Sequence, residues 1–113
     1  GNLEALEAIL KDIKKQNVDS IICLGDTIGI GPKPKECINV IIENKIDMVL
    51  GNHELYAIKG TKIDSKIQGE ELLQHKWQKE QLETKQIEFI KKLIRGRFYY
   101  NKKCPFLNKR KDK

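Results

Sequence analysis

The chain has 113 residues, of which 39% are hydrophobic and 34% are charged. This length and balance predict one small globular domain, or part of a larger one, with a modest core. No apolar run reaches the ~20 residues that a membrane helix needs, so we expect no membrane span. No leader pattern opens the chain either, which argues against a signal peptide. Because the first residue is Gly1 and not Met, we expect the natural start to lie upstream.

The net charge of +6 is concentrated at the carboxyl end. Residues 101–113 hold six basic residues and one acidic residue, whereas the rest of the chain carries only +1. We therefore expect a domain over residues 1–100 and a basic, disordered tail over 101–113. A basic face on the folded part is not implied, which argues against nucleic acid as a partner.

Three cysteines are present: Cys23, Cys37 and Cys104. Their number is odd and their spacing includes no CxxC pair, which is typical of reduced thiols rather than of a disulfide framework. Reduced thiols predict a cytoplasmic protein.

Hydrophobic spacing predicts four elements in the first half of the chain. A helix with one apolar face covers about 2–16, and a buried strand follows over about 19–24. After a loop rich in Gly and Pro, a helix starts near Pro34 and runs to about 44. A second strand covers about 46–50. Strand, helix and strand over this length predict a parallel βαβ unit.

The second half of the chain predicts helices, with weaker signals. We expect a helical turn at 55–58, a helix over 66–80 and another that starts at Thr84 and ends near Arg95-Gly96. The spacing of Ser65-x-x-Gln68 suits a capping box for the first of these. Leu73 and Trp77 are expected in the core, His75 on a solvated helix position, and a third strand from residue 98.

Both predicted strands end in Leu-Gly and are followed at once by polar side chains. Gly25-Asp26 leads the Gly- and Pro-rich loop after the first strand, and Gly51-Asn52-His53-Glu54 follows the second. Ligands of open α/β sheets bind beyond the carboxyl ends of parallel strands, so we expect these side chains to meet at one rim. A carboxylate such as Asp26 can bridge two divalent cations, the Asn52 amide oxygen can complete a shell, and His53 can protonate a leaving oxygen.

Ordinary structural roles compete with this interpretation. Asp26 can be a turn residue, Asn52 can adopt a left-handed turn conformation, and Glu54 can orient His53 or cap a helix. For either of the two segments alone, the ordinary structural role has about even odds. The pair, with both strands and the connecting helix, is much more specific.

Two of these segments resemble motifs of the calcineurin-like metallophosphoesterase superfamily. They are Gly25-Asp26-x-x-Gly29-x-Gly31-Pro32 and Gly51-Asn52-His53-Glu54, which are similar to its second and third motifs. The opening Gly1-Asn2 is similar to the end of its first motif, Asp-x-His-Gly-Asn. The small prokaryotic phosphodiesterase and phosphatase branch is the most similar, over about residues 1–100.

The resemblance implies a partial α/β/β/α sandwich with a parallel βαβ core followed by helices. It implies two divalent cations (Mn, Fe, Zn or Ni), with Asp26 as bridging metal ligand and Asn52 as ligand of the second metal. His53 would be the catalytic residue, as an acid or an electrostatic helper at the scissile phosphate. Asn52 and His53 would also contact the phosphoester substrate. The Asp and His of the first motif and the later His motifs are absent from these 113 residues. We therefore expect a fragment of a longer hydrolase, which alone hydrolyses little.

Two further functions stay open at this point. The chain can be a non-catalytic phosphoesterase-like binding module that has lost part of its metal site. A nucleic-acid binder is the weakest alternative, because its charge would have to come from residues 101–113. The sequence leaves the substrate, the native metal and the oligomeric state open.

Overall fold

The computed structural model describes residues 1–60 and 66–93. Its elements are helix α1 (Leu3–Lys15), strand β1 (Ile22–Cys23), helix α2 (Pro34–Glu43), strand β2 (Asp47–Met48) and helices α3 (Asn52–Lys59), α4 (Glu70–Gln81) and α5 (Thr84–Lys91). This order confirms the α/β class and the βαβ unit followed by helices. The predicted third strand, the Ser65 capping box and the tail 101–113 include residues outside the described ranges.

Strands β1 and β2 pair in parallel over two residues each, with Ile22 opposite Asp47 and Cys23 opposite Met48. The ladder is shorter than the predicted strands, although Val49 still donates a hydrogen bond to the Cys23 carbonyl at 3.0 Å. The second apolar run is buried as predicted: Ile46, Met48 and Val49 are each less than 8% exposed. The first run is not, because Ile22 and Cys23 are only partly buried and Leu24 is 68% exposed. The sequence pattern thus located both strands but was wrong about the burial of the first.

The core lies where α2 packs beside the strands and against α5. Its fully enclosed side chains include Ile28, Ile38, Ile41 and Ile90. Helix α1 packs on it less tightly, because its apolar face (Leu6 and Leu10 among others) is only partly buried. Among the described helices, none has the length and apolarity that a membrane crossing requires.

Two sequence-based predictions about helix α4 are wrong. His75, expected on a solvated position, is 6% exposed, whereas Leu73 and Trp77, expected in the core, are 64% and 39% exposed. The reason is what α4 packs against. Its inner face meets the backbone of the loop at Gly29 and Gly31, whose polar groups need partners. Polar side chains therefore occupy that face, and the apolar pair lies on the surface.

Candidate functional site

The two polar segments after β1 and β2 are in direct contact. Asp26 has a φ of +54° and follows Gly25, whose φ is +98°. A Cβ on Gly25 would lie 2.8 Å from the backbone nitrogen of Gly51, so the two backbones are as close as a glycine allows. The missing side chain of Gly25 is therefore what allows the backbone of Gly51 to approach this closely.

Helix α3 begins at the second of these segments. The predicted helical turn at 55–58 is the centre of this longer helix, and Asn52 is its first residue rather than a left-handed turn residue. Its N-cap residue, Gly51, has no side chain to accept a hydrogen bond. The Asp26 carboxylate does so from across the fold, because its Oδ1 accepts from the His53 backbone N–H at 3.2 Å. A negative group at a helix amino terminus is stabilised by the helix dipole.

Glu54 is the buried residue that joins the two loops. Its side chain is completely enclosed, and its carboxylate accepts hydrogen bonds from the backbone N–H groups of Gly51 (3.0 Å), Asp26 (2.6 Å) and Ile28 (3.2 Å). Burial raises the pKa of Glu54, since desolvation of the carboxylate outweighs the three donors that favour its charged form. Sequence reasoning offered Glu54 as an orienter of His53 or a helix residue, and missed this bridge.

The imidazole of His53 packs among three groups. Its ring contacts Gly29 so closely that a Cβ there would overlap it. The ring centroid of His75 lies 5.1 Å away and that of Tyr56 6.0 Å away. The Nδ1 atom of His53 is buried and has no hydrogen-bond partner in the described part of the chain. The His53 ring is thus held between the Gly29 backbone and the rings of Tyr56 and His75.

Asp26 and His53 line one groove of about 460 Å³ between α1 and the loop after β1. Gly1 and Asn2 line the same groove. The Gly1 carbonyl accepts a hydrogen bond from the Lys33 N–H at 2.9 Å, so the opening residues sit against that loop. All three motif segments thus meet at this groove.

Asn52 is placed apart from that groove. It is exposed, and it lines a separate cavity of about 260 Å³ formed with Leu50, Gly51 and Leu55. A third cavity, of about 300 Å³, lies beyond the far end of α1 near Ile13, Ile21 and Ile46, and it contains none of the predicted site residues. The structure therefore brings Asp26 and His53 to one groove, whereas Asn52, expected at the same rim, lines a different cavity.

Two glutamines of α4 hold the loop that carries Gly29, a role that no sequence pattern indicated. Gln78 is 2% exposed; its side chain accepts from the Gly29 N–H and donates to the Gly31 carbonyl, both at 3.2 Å. Gln74 donates to the Gly29 carbonyl at 2.8 Å. A glutamine pair four residues apart on a helix is common on solvated faces, so only the tertiary contact reveals its role.

Comparison with known proteins identifies the family of the chain. The family model for calcineurin-like phosphoesterases matches residues 1–106, and the chain belongs to that family. It is also 45% identical over 60 residues to "Uncharacterized protein MJ0912" of Methanocaldococcus jannaschii. That match covers 53% of this chain and 24% of the relative, so the chain spans about a quarter of the relative's length. No solved structure matches the chain.

Proposed function

We propose that the chain is part of a dinuclear metal-dependent phosphoesterase that hydrolyses phosphate mono- or diesters. Its family supports phosphoester hydrolysis as the class of reaction. The observation that carries the proposal is the shared groove, which Asp26 and His53 both line. The helix-capping bond uses Oδ1 of Asp26. Because Asp26 is exposed, its second oxygen, Oδ2, can face a cation.

The electrostatics of the groove favour cations between protein and substrate. Among the described residues that line it, none is Lys or Arg, while Asp26 is a carboxylate. A phosphate group would be repelled by that carboxylate unless positive charge lies between the two. Divalent cations supply such charge, and they also lower the pKa of a bound water and clamp the phosphate.

The donor types suit such ions, but the set is incomplete. Asp26 offers a carboxylate oxygen and Asn52 an amide oxygen, both ligands of hard divalent cations. Within residues 1–60 and 66–93, no group of three or more His, Cys, Asp or Glu side chains could hold a metal ion. We therefore propose that Asp26 provides part of a shell for two cations, of which Mn²⁺ is one candidate, and that further ligands come from elsewhere. Asn52 lines the neighbouring cavity and would have to turn toward Asp26 to join that shell.

His53 is the residue we assign to the leaving group. Its Nδ1 is buried, so the proton would pass from Nε2 to the departing ester oxygen. Asn52 and His53 would contact the phosphate, because both sit in the first turn of α3, where backbone N–H groups and the helix dipole favour anions.

The free thiols of Cys23 and Cys37 support a cytoplasmic location.

Hydrolysis of bis-p-nitrophenyl phosphate with added Mn²⁺ tests the proposal. We expect the full-length protein to turn over, with Asp26→Asn and His53→Gln each lowering the rate by about 100-fold or more. We expect the 113-residue chain to hydrolyse little, because its described metal ligands are too few. Unchanged rates in both full-length variants would remove the assignment of Asp26 and His53.

The incomplete donor set also favours a second candidate, a non-catalytic binding module that kept the scaffold. Calorimetric titration of the full-length protein with Mn²⁺ separates the two. Two tight sites that Asp26→Asn weakens support the enzyme, while no metal binding supports the module. The exposed Asp19→Asn is a matched control and should leave the titration unchanged.

A further inference from the structure

We infer that His75 is a positioning residue for His53, and this inference rests on the proposed role of His53 as proton donor. The two imidazole rings are tilted by 38° with centroids 5.1 Å apart. Tyr56 closes a triangle of rings, since its centroid lies 4.9 Å from that of His75 and 6.0 Å from that of His53. His53 is thus enclosed between this cluster and the bare backbone of Gly29.

The position of His75 is itself fixed by its helix. Gln74 and Gln78 flank it in sequence, and their three hydrogen bonds hold α4 to the backbone of Gly29 and Gly31. Gly29 is also the residue against which the His53 ring packs. The same loop therefore anchors α4 and supports one side of the His53 ring, while α4 supplies His75 on another.

A rigid His53 matters because proton transfer depends on placement. With Nδ1 buried, the observed χ1 rotamer leaves Nε2 as the nitrogen for proton transfer. Rotation about χ1 would carry the whole ring, and Nε2 with it, to a different place. A misplacement of about 1 Å can lower a rate by about 100-fold, so a ring that confines His53 supports the rate even without touching substrate.

His75 is not suited to a different role in the same place. It is 6% exposed, and its Nε2 has no hydrogen-bond partner among the residues described. Its contact with an acidic oxygen, Glu71 Oε1 at 3.7 Å, is longer than a hydrogen bond. The contacts of His75 with His53 and Tyr56 are those of its ring, so a phenyl ring at this position should preserve them.

The test measures the side chain of His53 directly. The chain has only two histidines, so selective labelling gives two sets of imidazole signals. Three-bond couplings from Cγ of His53 to its backbone nitrogen and carbonyl carbon report its χ1 rotamer. We expect one rotamer in the unsubstituted chain, averaged couplings in His75→Ala, and a single rotamer again in His75→Phe. The exposed Lys76→Ala is the control, with couplings as in the unsubstituted chain.

Stability and kinetics separate positioning from simple packing. If His75→Ala lowers the melting temperature but leaves the His53 couplings unchanged, His75 only packs and the inference is wrong. In the full-length protein, we expect His75→Ala to lower kcat about tenfold at unchanged KM, and His75→Phe to restore it. A full-length protein that hydrolyses no phosphoester would overturn the proposed function. The couplings need neither metal nor substrate, so they would still show whether His75 holds His53 in one rotamer.

Discussion

The Glu54 carboxylate accepts a hydrogen bond from the backbone N–H of Asp26 at 2.6 Å, across 28 positions of sequence. Through this contact, the segment after β2 determines the backbone of the segment after β1. The conformation that it holds at Asp26, with a φ of +54°, is one that residues other than glycine seldom adopt. The contact thus supports the placement of the carboxylate that we assign to the metals.

Replacement of Glu54 should destabilise the chain. Glu54→Gln keeps one acceptor oxygen but turns an amide NH₂ group toward buried N–H donors, and we expect a loss of about 2 kcal/mol in the free energy of unfolding. Urea denaturation measures it. Glu80→Gln, at an exposed position of α4, is the control and should change stability by less than about 0.5 kcal/mol. Equal stabilities of the two variants would contradict the bridging role of Glu54.

The sequence was sufficient for the elements of the first half. Helix α1 was predicted over 2–16 and covers Leu3–Lys15, and helix α2 was predicted over 34–44 and covers Pro34–Glu43. Both have clear apolar periodicity, and the second also has Pro34 at its start. Helix α4 was predicted over 66–80 but starts only at Glu70. With its weak periodicity, both the predicted start and the predicted inward face of α4 were wrong.

Which residues follow the strands was also readable from the sequence, whereas their contacts were not. The pattern pointed to Asp26 and His53, which do line one groove. It could not show that Glu54 would be buried, because a carboxylate after a strand is usually solvated. Nor could it show that His75 would pack on His53, since that contact depends on the packing of α4 against the loop at Gly29.

Gln78 should be essential to the loop that carries Gly29. Gln78→Leu removes an acceptor for the Gly29 N–H and a donor for the Gly31 carbonyl in a buried place. We expect a loss of about 2 kcal/mol and faster amide exchange at Gly29. Gln81→Leu, at an exposed position of the same helix, should leave both unchanged. Slow exchange at Gly29 in Gln78→Leu would show that the loop holds its shape without α4.

Cys37 should react slowly with alkylating reagents in the folded chain. It is 1% exposed, and burial raises the pKa of its thiol, so the reactive thiolate is scarce. In a Cys104→Ser background, we expect iodoacetamide at pH 8 to modify the partly exposed Cys23 well before Cys37. In denaturant, the two rates should become similar. A faster reaction at Cys37 in the folded chain would contradict its burial.

The raised pKa of Cys37 also affects the stability of the folded chain. Because the pKa of Cys37 is higher in the folded chain, the folded state keeps the thiol proton longer than the unfolded state does. The free energy of unfolding should therefore decrease as the pH rises above about 8.5, the usual thiol pKa. Cys37→Ala should lose this part of the pH dependence. Denaturation curves at pH 7 and pH 10 for both chains measure the difference.

Gly29 and Gly60 provide a matched pair for the packing around His53. Both have positive φ, +115° and +83°, so an alanine at either position strains the backbone by about 1–2 kcal/mol. At Gly60, no described atom lies within 4 Å of the added Cβ, whereas at Gly29 the Cβ would overlap the His53 ring. Gly29→Ala should therefore destabilise the chain by more than Gly60→Ala and should also shift the imidazole signals of His53. Two equal losses, with His53 signals unchanged, would mean that the ring does not rest on Gly29 in solution.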